Sequence, residues 1–436
     1  MPALRGGLRW LYPGLRVKRW ALLTLVSTAL TLFVLLDLVG QIEGVGIPGA
    51  LGLAGVWRAL LLALLLVVSV AGQSIGLAQL VRSVARGVSP HRTQKPSELI
   101  YRTRVLERGP RVVALGGGTG LSTLLRGLKE VTGNIVAVVT VTDDGGSSGR
   151  LRKELGVLPP GDVRNCLIAL AADEARIERL FQHRLRGPEA LAGHSLGNLL
   201  LAGISQAVGG FDHAVEELSH VLNVRGRVLP ATLGKTDLLA RMEDGQWVHG
   251  ETSIASDPRR IAEVRLTAPD VAPHGHVLEA INAADLVLLG PGSLYTSLIP
   301  NLLVPGISDA IEESAAEKLL IANLMTQPGE TEGYALSDHI RALDEVISIR
   351  RFDGVLVNSE RPDECLLSTY WEEGAEPVRD DLGPDHDAEL EIVRADLLRV
   401  VPIEGRLTIK HDPRRLARAI ARSSRAFTRS PDRSSL

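Results

Sequence analysis

The chain has 436 residues, 44 glycines, two cysteines and a formal net charge of −3 at neutral pH. That length admits two or three average domains, or one large α/β domain with an appendage. Cys166 and Cys365 lack CxxC spacing, which argues against a disulfide scaffold or a cysteine zinc site and for a reducing compartment. The charge is uneven: residues 1–110 hold 13 Lys/Arg against 4 Asp/Glu, whereas 111–436 hold 35 against 47. A main domain this acidic repels phosphate backbones, so no nucleic-acid partner is expected.

Two apolar stretches come first, at about 20–39 and 59–81, each near the length that spans about 30 Å of hydrocarbon. Arg5, Arg9, Arg16, Lys18 and Arg19 precede the first; Arg82, Arg86, Arg92 and Lys95 follow the second. By the positive-inside rule both flanks are cytoplasmic, giving a transmembrane helical hairpin over 1–81. A helical pair buried against the main domain is the alternative. A cleaved signal peptide fits less well, because no small-residue cleavage site clearly follows. Residues 82–110 read as a basic linker.

From 111 onward, strand-like runs (111–115, 135–141, 285–289, 318–324, 354–357) alternate with helical patterns (121–131, 163–172, 197–208, 212–222, 307–316). The alternation predicts an α/β fold with a doubly wound, mostly parallel sheet. Residues 227–268 read as a small β-rich insertion, 111–422 as one domain, and 423–436 as a disordered tail.

Gly116, Gly117, Gly118, Thr119 and Gly120 link the first strand to a helix. Such a loop lets backbone approach a ligand and turns helix N–H groups toward phosphate. No Walker A lysine follows, and the GxGxxG pattern is not strictly kept. Asp143 and Asp144 end the second strand, followed by Gly145, Gly146, Ser147 and Ser148. This run can coordinate a hard cation or contact a ribose, and it can offer donors to phosphate.

In LPPGDVRN, Asp162 is placed to cap a helix, and equally to join Arg164 and Asn165 at a ligand. GHSLG matches a nucleophile elbow but lacks the hydrophobic strand that motif needs. Ser195 or His194 instead begins a helix, which puts His194 and Asn198 beside the same cleft. Gly290, Gly292, Ser293 and Tyr295 form a third loop, and NLMTQPGETEGY a fourth. Four such strand ends converge on the carboxyl edge of a parallel sheet, where ligands bind. His274 and His276 lack nearby acids and read as exposed rather than metal-binding, while Asp412–Pro413 reads as a helix start.

The motifs GGGTGLSTLLRGLK, TDDGGSSGRLR, PPGDVRN, GHSLGNLLLA, GPGSLYTSLIPNLLVPGI and NLMTQPGETEGY closely resemble the gluconeogenesis factor family (the YvcK group). That group is related to the CofD-like 2-phospho-L-lactate transferases. The resemblance covers 111 to about 422. It implies a Rossmann-like fold that binds a nucleotide sugar, UDP-N-acetylglucosamine or UDP-glucose. It further implies a regulator of cell shape and envelope synthesis, needed for growth on gluconeogenic carbon sources.

Carried over, Gly116–Gly120 hold phosphate, and Asp143 and Asp144 contact a cation such as Mg2+ or a ribose. Tyr370 and Lys410 match a tyrosine and an arginine tied to UDP-sugar contact; lysine lacks the arginine's bidentate fork. The alternative is a CofD-type transferase moving a phosphate-linked group from a nucleotide-activated donor. No general base stands out, which favours the non-catalytic regulator. Expected partners are cell-envelope synthesis proteins and a second copy in a homo-oligomer, with the chain held at the inner (cytoplasmic) membrane.

Overall fold

The computed structural model describes residues 17–42, 55–88, 105–383, 390–403 and 405–428. Contacts divide the chain into two units, Met1–Arg102 and Thr103–Leu436.

The first unit contains two helices, Val17–Ile42 and Val56–Val88. Within them, Arg19–Leu38 and Val56–Val81 are long and apolar enough to cross a membrane, with mean hydropathies of 2.2 and 2.3. The helices meet through small and hydroxyl-bearing residues. A Cβ on Gly72 would overlap the Ser27 hydroxyl, and one on Gly76 the Thr24 hydroxyl. Thr31 donates to Ser69 at 2.9 Å, Gln73 donates to Thr31 at 2.9 Å, and Arg58 pairs with Asp37 at 2.6 Å. Leu22, Leu25, Leu36, Leu60 and Val67 stay exposed on the outside. Polar groups are thus satisfied between the helices while the apolar surface points outward, a pattern suited to lipid.

The second unit begins with β1 (Val112–Gly116), β2 (Ile135–Val139) and β3 (Arg227–Pro230). Next come β4 (Leu238–Met242), β5 (Trp247–His249) and β6 (Ile261–Leu266). Then follow β7 (Leu286–Leu289), β8 (Glu317–Ile321), β9 (Gly354–Asn358) and β10 (Glu391–Ala395). The last two are β11 (Leu398–Ile403) and β12 (Arg406–His411). Seven strands form one parallel sheet in the order β10-β9-β8-β7-β1-β2-β3. Its central members are unbroken apolar runs because both faces are covered. On one face lie the helices Gly118–Leu128, Gly161–Leu170 and Pro413–Ser423; on the other lie Ile307–Glu313, Leu336–Asp344 and the β4–β6 sheet. The fold is therefore the doubly wound α/β type, with the winding direction reversing between β1 and β7.

Several details depart from the sequence reading. Only β4–β6 form the antiparallel insertion; β3 extends the main sheet beside β2. The β10 edge and the β11–β12 hairpin have no counterpart among the expected strands. His274 is buried and caps the helix Gly275–Ala283, while His276 is exposed. Arg425–Thr428 is a helical turn with Phe427 buried, so structure continues past 423; residues 429–436 lie outside the described set. Most of the linker, 89–104, also lies outside it.

Candidate functional site

The switch between β1 and β7 creates a crevice outside their carboxyl ends. Two loops meet there. Gly117 is the N-cap of the helix Gly118–Leu128, whose leading N–H groups have no intrahelical partners. Gly118 has φ +57°, a conformation that disfavours a side chain. At Gly120 a Cβ would overlap the carbonyl oxygen of Pro291, so the two loops touch backbone to backbone.

The β7 loop is itself fixed from behind. Asn323 receives the Gly292 N–H at 3.1 Å and returns a bond to the Gly292 carbonyl at 2.8 Å. Ser293 donates to Gln327 at 2.7 Å, and Asn301 donates to the Gly116 carbonyl at 3.0 Å. Gly290 has φ +85°. Tyr295 lies in a π-helical turn, Leu294–Leu298, and is buried with its hydroxyl 3.0 Å from that of Tyr334. Burial also raises its pKa.

The facing wall comes from the second loop and two helices. Asp143 accepts the Gly145 N–H at 2.9 Å. Asp144 accepts from the Thr252 N–H at 2.8 Å and the Thr252 hydroxyl at 2.7 Å, straps to the insertion helix Glu251–Ser256. Each acid thereby commits one oxygen to the protein. Among the described residues, no three His, Cys, Asp or Glu side chains are grouped to hold a metal ion.

Asp162 lies in the first turn of the helix Gly161–Leu170. Burial and the nearby Asp143 push its pKa up to about 6, against a hydrogen bond from the Gly118 backbone. Glu251 goes further: burial first, then Asp143 and Asp162, push it up to about 9. Its Oε2 is buried without a hydrogen-bond partner. Glu330 is also buried and raised by burial, but it accepts from the Tyr295 N–H, the Thr296 hydroxyl and Gln327 at 3.2, 2.8 and 2.9 Å.

A polar network closes this wall. Ser147 and His194 Nδ1 lie 2.9 Å apart, and Asn198 donates to Ser147 at 3.1 Å. Arg164 donates to Ser195, to Asn198 at 2.7 Å and to Asn165 at 3.0 Å; its Nε is buried without a partner. Burial lowers the pKa of both His194 and Arg164. Ser195 caps the helix Leu196–Val208 by accepting the Asn198 N–H. The Ser148 hydroxyl lies where a Cβ on Gly161 would be.

Ser147, Arg164, Asn165, His194 and Asn198, picked from three separate motifs, are thus one hydrogen-bonded set, with Ser148 against Gly161 and Asp162 against Gly118 beside it. Tyr370 and Lys410 form a separate pair. The Tyr370 hydroxyl accepts the Ile409 N–H at 2.7 Å, one residue before Lys410, whose pKa burial lowers. His411 is buried at the β8 end, bonded to the Ala322 backbone, and burial drops its pKa to about 4. Glu251 and Glu330 were not expected. The former is a lone acid after Gly250 in a β-rich stretch, the latter one of two acids in a loop, and only long-range packing buries them.

The family model of "2-phospho-L-lactate transferase CofD" matches residues 112–398. A gluconeogenesis factor from Halalkalibacterium halodurans is 54% identical over 267 residues, covering 61% of this chain and 83% of that protein. A gluconeogenesis factor from Bacillus subtilis is 48% identical over 308 residues, covering 71% of this chain and 96% of that one. A relative from Nostoc sp. is 42% identical over 433 residues, covering 94% of this chain and 91% of its own. A crystal structure of a protein from Bacillus halodurans aligns with a TM-score of 0.67 at 47% identity, over 72% of this chain and 99% of that one.

Proposed function

The chain belongs to the gluconeogenesis factor family, built on the CofD-type domain, and from that premise we propose that it is a nucleotide-sugar-binding regulator. The ligand is a UDP-sugar, UDP-N-acetylglucosamine or UDP-glucose, held in the crevice between β1 and β7. The output is control of cell shape and envelope synthesis, exerted on envelope-synthesis proteins by a homo-oligomer during growth on gluconeogenic carbon sources. The observation that carries this reading is the backbone contact of Gly120 with Pro291. It sets two glycine-rich turns and a helix N-terminus side by side, a seat for a diphosphate.

The acidic wall then needs a counter-charge. Mg2+ at Asp143 and Asp144 would use their remaining oxygens and take its other ligands from phosphate and water. The hairpin anchors the chain in the cytoplasmic membrane, with the main domain in the cytoplasm.

A second reading, a CofD-type transferase, is favoured by Asp162 and Glu251, whose raised pKa values suit proton transfer. Isothermal titration separates the two. UDP-N-acetylglucosamine should bind, with no product formed on incubation. Tight binding of GDP plus magnesium with no response to the UDP-sugar would overturn the regulator, and product from an activated donor would establish the enzyme. The anchor is tested by centrifuging a detergent-free lysate at high speed, where the chain should pellet with membranes.

A further inference from the structure

The helix Pro413–Ser423 is amphipathic in an unusual way for this domain. Leu416, Ala417 and Ile420 are buried, at 0, 2 and 0% exposure. Arg414, Arg415, Arg418 and Arg422 are exposed. At 100° per residue these four arginines fall within an arc of about 100°. Residues 413–428 add Arg425 and contain no acid, although residues 111–436 carry a net charge of −12. Arg415 pairs with Asp396, and Arg425 with Asp353. Arg414, Arg418 and Arg422 have no ion pair with a described residue.

The helix is also rigidly seated. A Cβ on Gly127 would overlap the Pro413 carbonyl oxygen and lie 3.0 Å from Ala417 Cβ, so the two backbones are in contact. Asp412 caps its start by accepting the Arg414 and Arg415 N–H groups, each at 2.9 Å. At its far end Ser424 donates to Glu317 at 2.7 Å, beside the start of β8. The basic stripe therefore runs down to the amino edge of the sheet. There Arg108, Arg111 and Arg425 line a cavity of about 710 Å3 together with Asp285, Glu317 and Asp353, so the uncompensated charge lies on the helix rather than in the cavity. The chain enters the domain at this edge from residues 82–104, which carry six basic residues and one acid.

We propose that the arginine face of Pro413–Ser423 is a docking surface for the anionic headgroups of the membrane into which the hairpin inserts. The proposal rests on the hairpin reading. An arginine stripe on an acidic domain is complementary to an anionic leaflet, and the tether keeps it within reach. A nucleic acid would meet the rest of the domain as a repulsive surface.

The full chain is reconstituted into nanodiscs of phosphatidylcholine alone, or with about a third phosphatidylglycerol, and hydrogen exchange is followed across 413–428. Exchange there should slow roughly tenfold in the anionic discs only, and the protection should vanish in high salt. The triple variant Arg414→Gln, Arg418→Gln, Arg422→Gln should lose it while keeping its thermal midpoint. The corresponding triple change to lysine should retain it. Equal exchange in both discs overturns the proposal. So does protection produced by added polyglutamate but not by anionic lipid, which would assign the face to an acidic protein. A chain that enters neither disc overturns the hairpin reading and this proposal with it; entry into both without lipid-dependent protection overturns this proposal alone.

Discussion

The two walls of the crevice solve different physical problems. The glycine wall, made by the loops after β1 and β7, is braced from behind: Asn323 holds the Gly292 N–H and carbonyl, Asn301 holds the Gly116 carbonyl, and its shape follows from backbone contact. The acidic wall is left unfinished. Asp162 and Glu251 hold carboxyls against burial, and Glu251 Oε2 and Arg164 Nε have no partner. A wall defined by shape tolerates no added atoms. One defined by uncompensated charge should respond to pH, to charge removal and to ligand. Substitutions in each wall, and a pair outside both, probe that contrast.

The largest effect is expected at the glycine wall. Gly120→Ala puts a methyl group into the Pro291 carbonyl, and neither partner is a side chain that can swing away. Destabilisation on the order of 3 kcal/mol or more is expected, with loss of UDP-sugar binding. Thermal denaturation and titration calorimetry check it. Near-normal binding would show that the loops are free to separate.

Arg164→Ala tests the network behind the acidic wall. It removes donors to the half-buried Asn165 and to Ser195 and Asn198, leaving the last two as buried acceptors short of a partner at a cost of about 2–3 kcal/mol. Chemical denaturation measures the loss. Asn198→Ala in the same background should add less than it does alone, because the two residues share partners.

Glu251→Gln should have the opposite sign. In the fold the Glu251 carboxyl keeps its proton up to about pH 9, while its ordinary value is 4.5. Between those values the native state binds one more proton than the unfolded chain, so stability falls as pH rises through that window. Glutamine removes this dependence, and the variant should be more stable than the parent by on the order of a few kcal/mol at pH 8. Denaturation at pH 5 and pH 8 should show a gain at the higher pH and little at the lower. A uniform gain would mean that Glu251 is not held neutral.

The same contrast explains what could be read in advance. The glycine wall was legible because its signals are local: VVAL and LVLL are buried parallel strands, and each runs into a glycine-rich loop that only a backbone approach requires. Asp162, Arg164, His194 and Asn198 were legible as candidates, but their joining depends on three helices packing together. Glu251 was not, since its burial comes from the insertion folding over Asp144 through Thr252, a contact 108 residues apart in sequence. The assignment of β3 to the insertion failed for a related reason. RVLP is too short to reveal its partner, and only the pairing with β2 places it in the main sheet. In β10 and β11, intermediate and exposed positions blur the buried alternation that would mark a strand.

The smallest effect is expected at Tyr370, which belongs to neither wall. Its hydroxyl already accepts the Ile409 N–H, so only its own proton is left to give to a ligand. Arg406 lies 5.2 Å from its ring centroid, which holds the ring in place without the hydroxyl. Tyr370→Phe should therefore cost about 1 kcal/mol of stability, the price of an unpaired N–H. If Tyr370 also donates to the UDP-sugar, affinity should fall by roughly tenfold beyond that loss. Lys410→Arg, which restores a bidentate fork on the residue next to Ile409, the Tyr370 contact, should then raise affinity in the parent and partly rescue the phenylalanine variant. Unchanged affinity in both variants would confine the ligand to the two walls, and the Tyr370–Lys410 pair would be a brace for the β11–β12 hairpin.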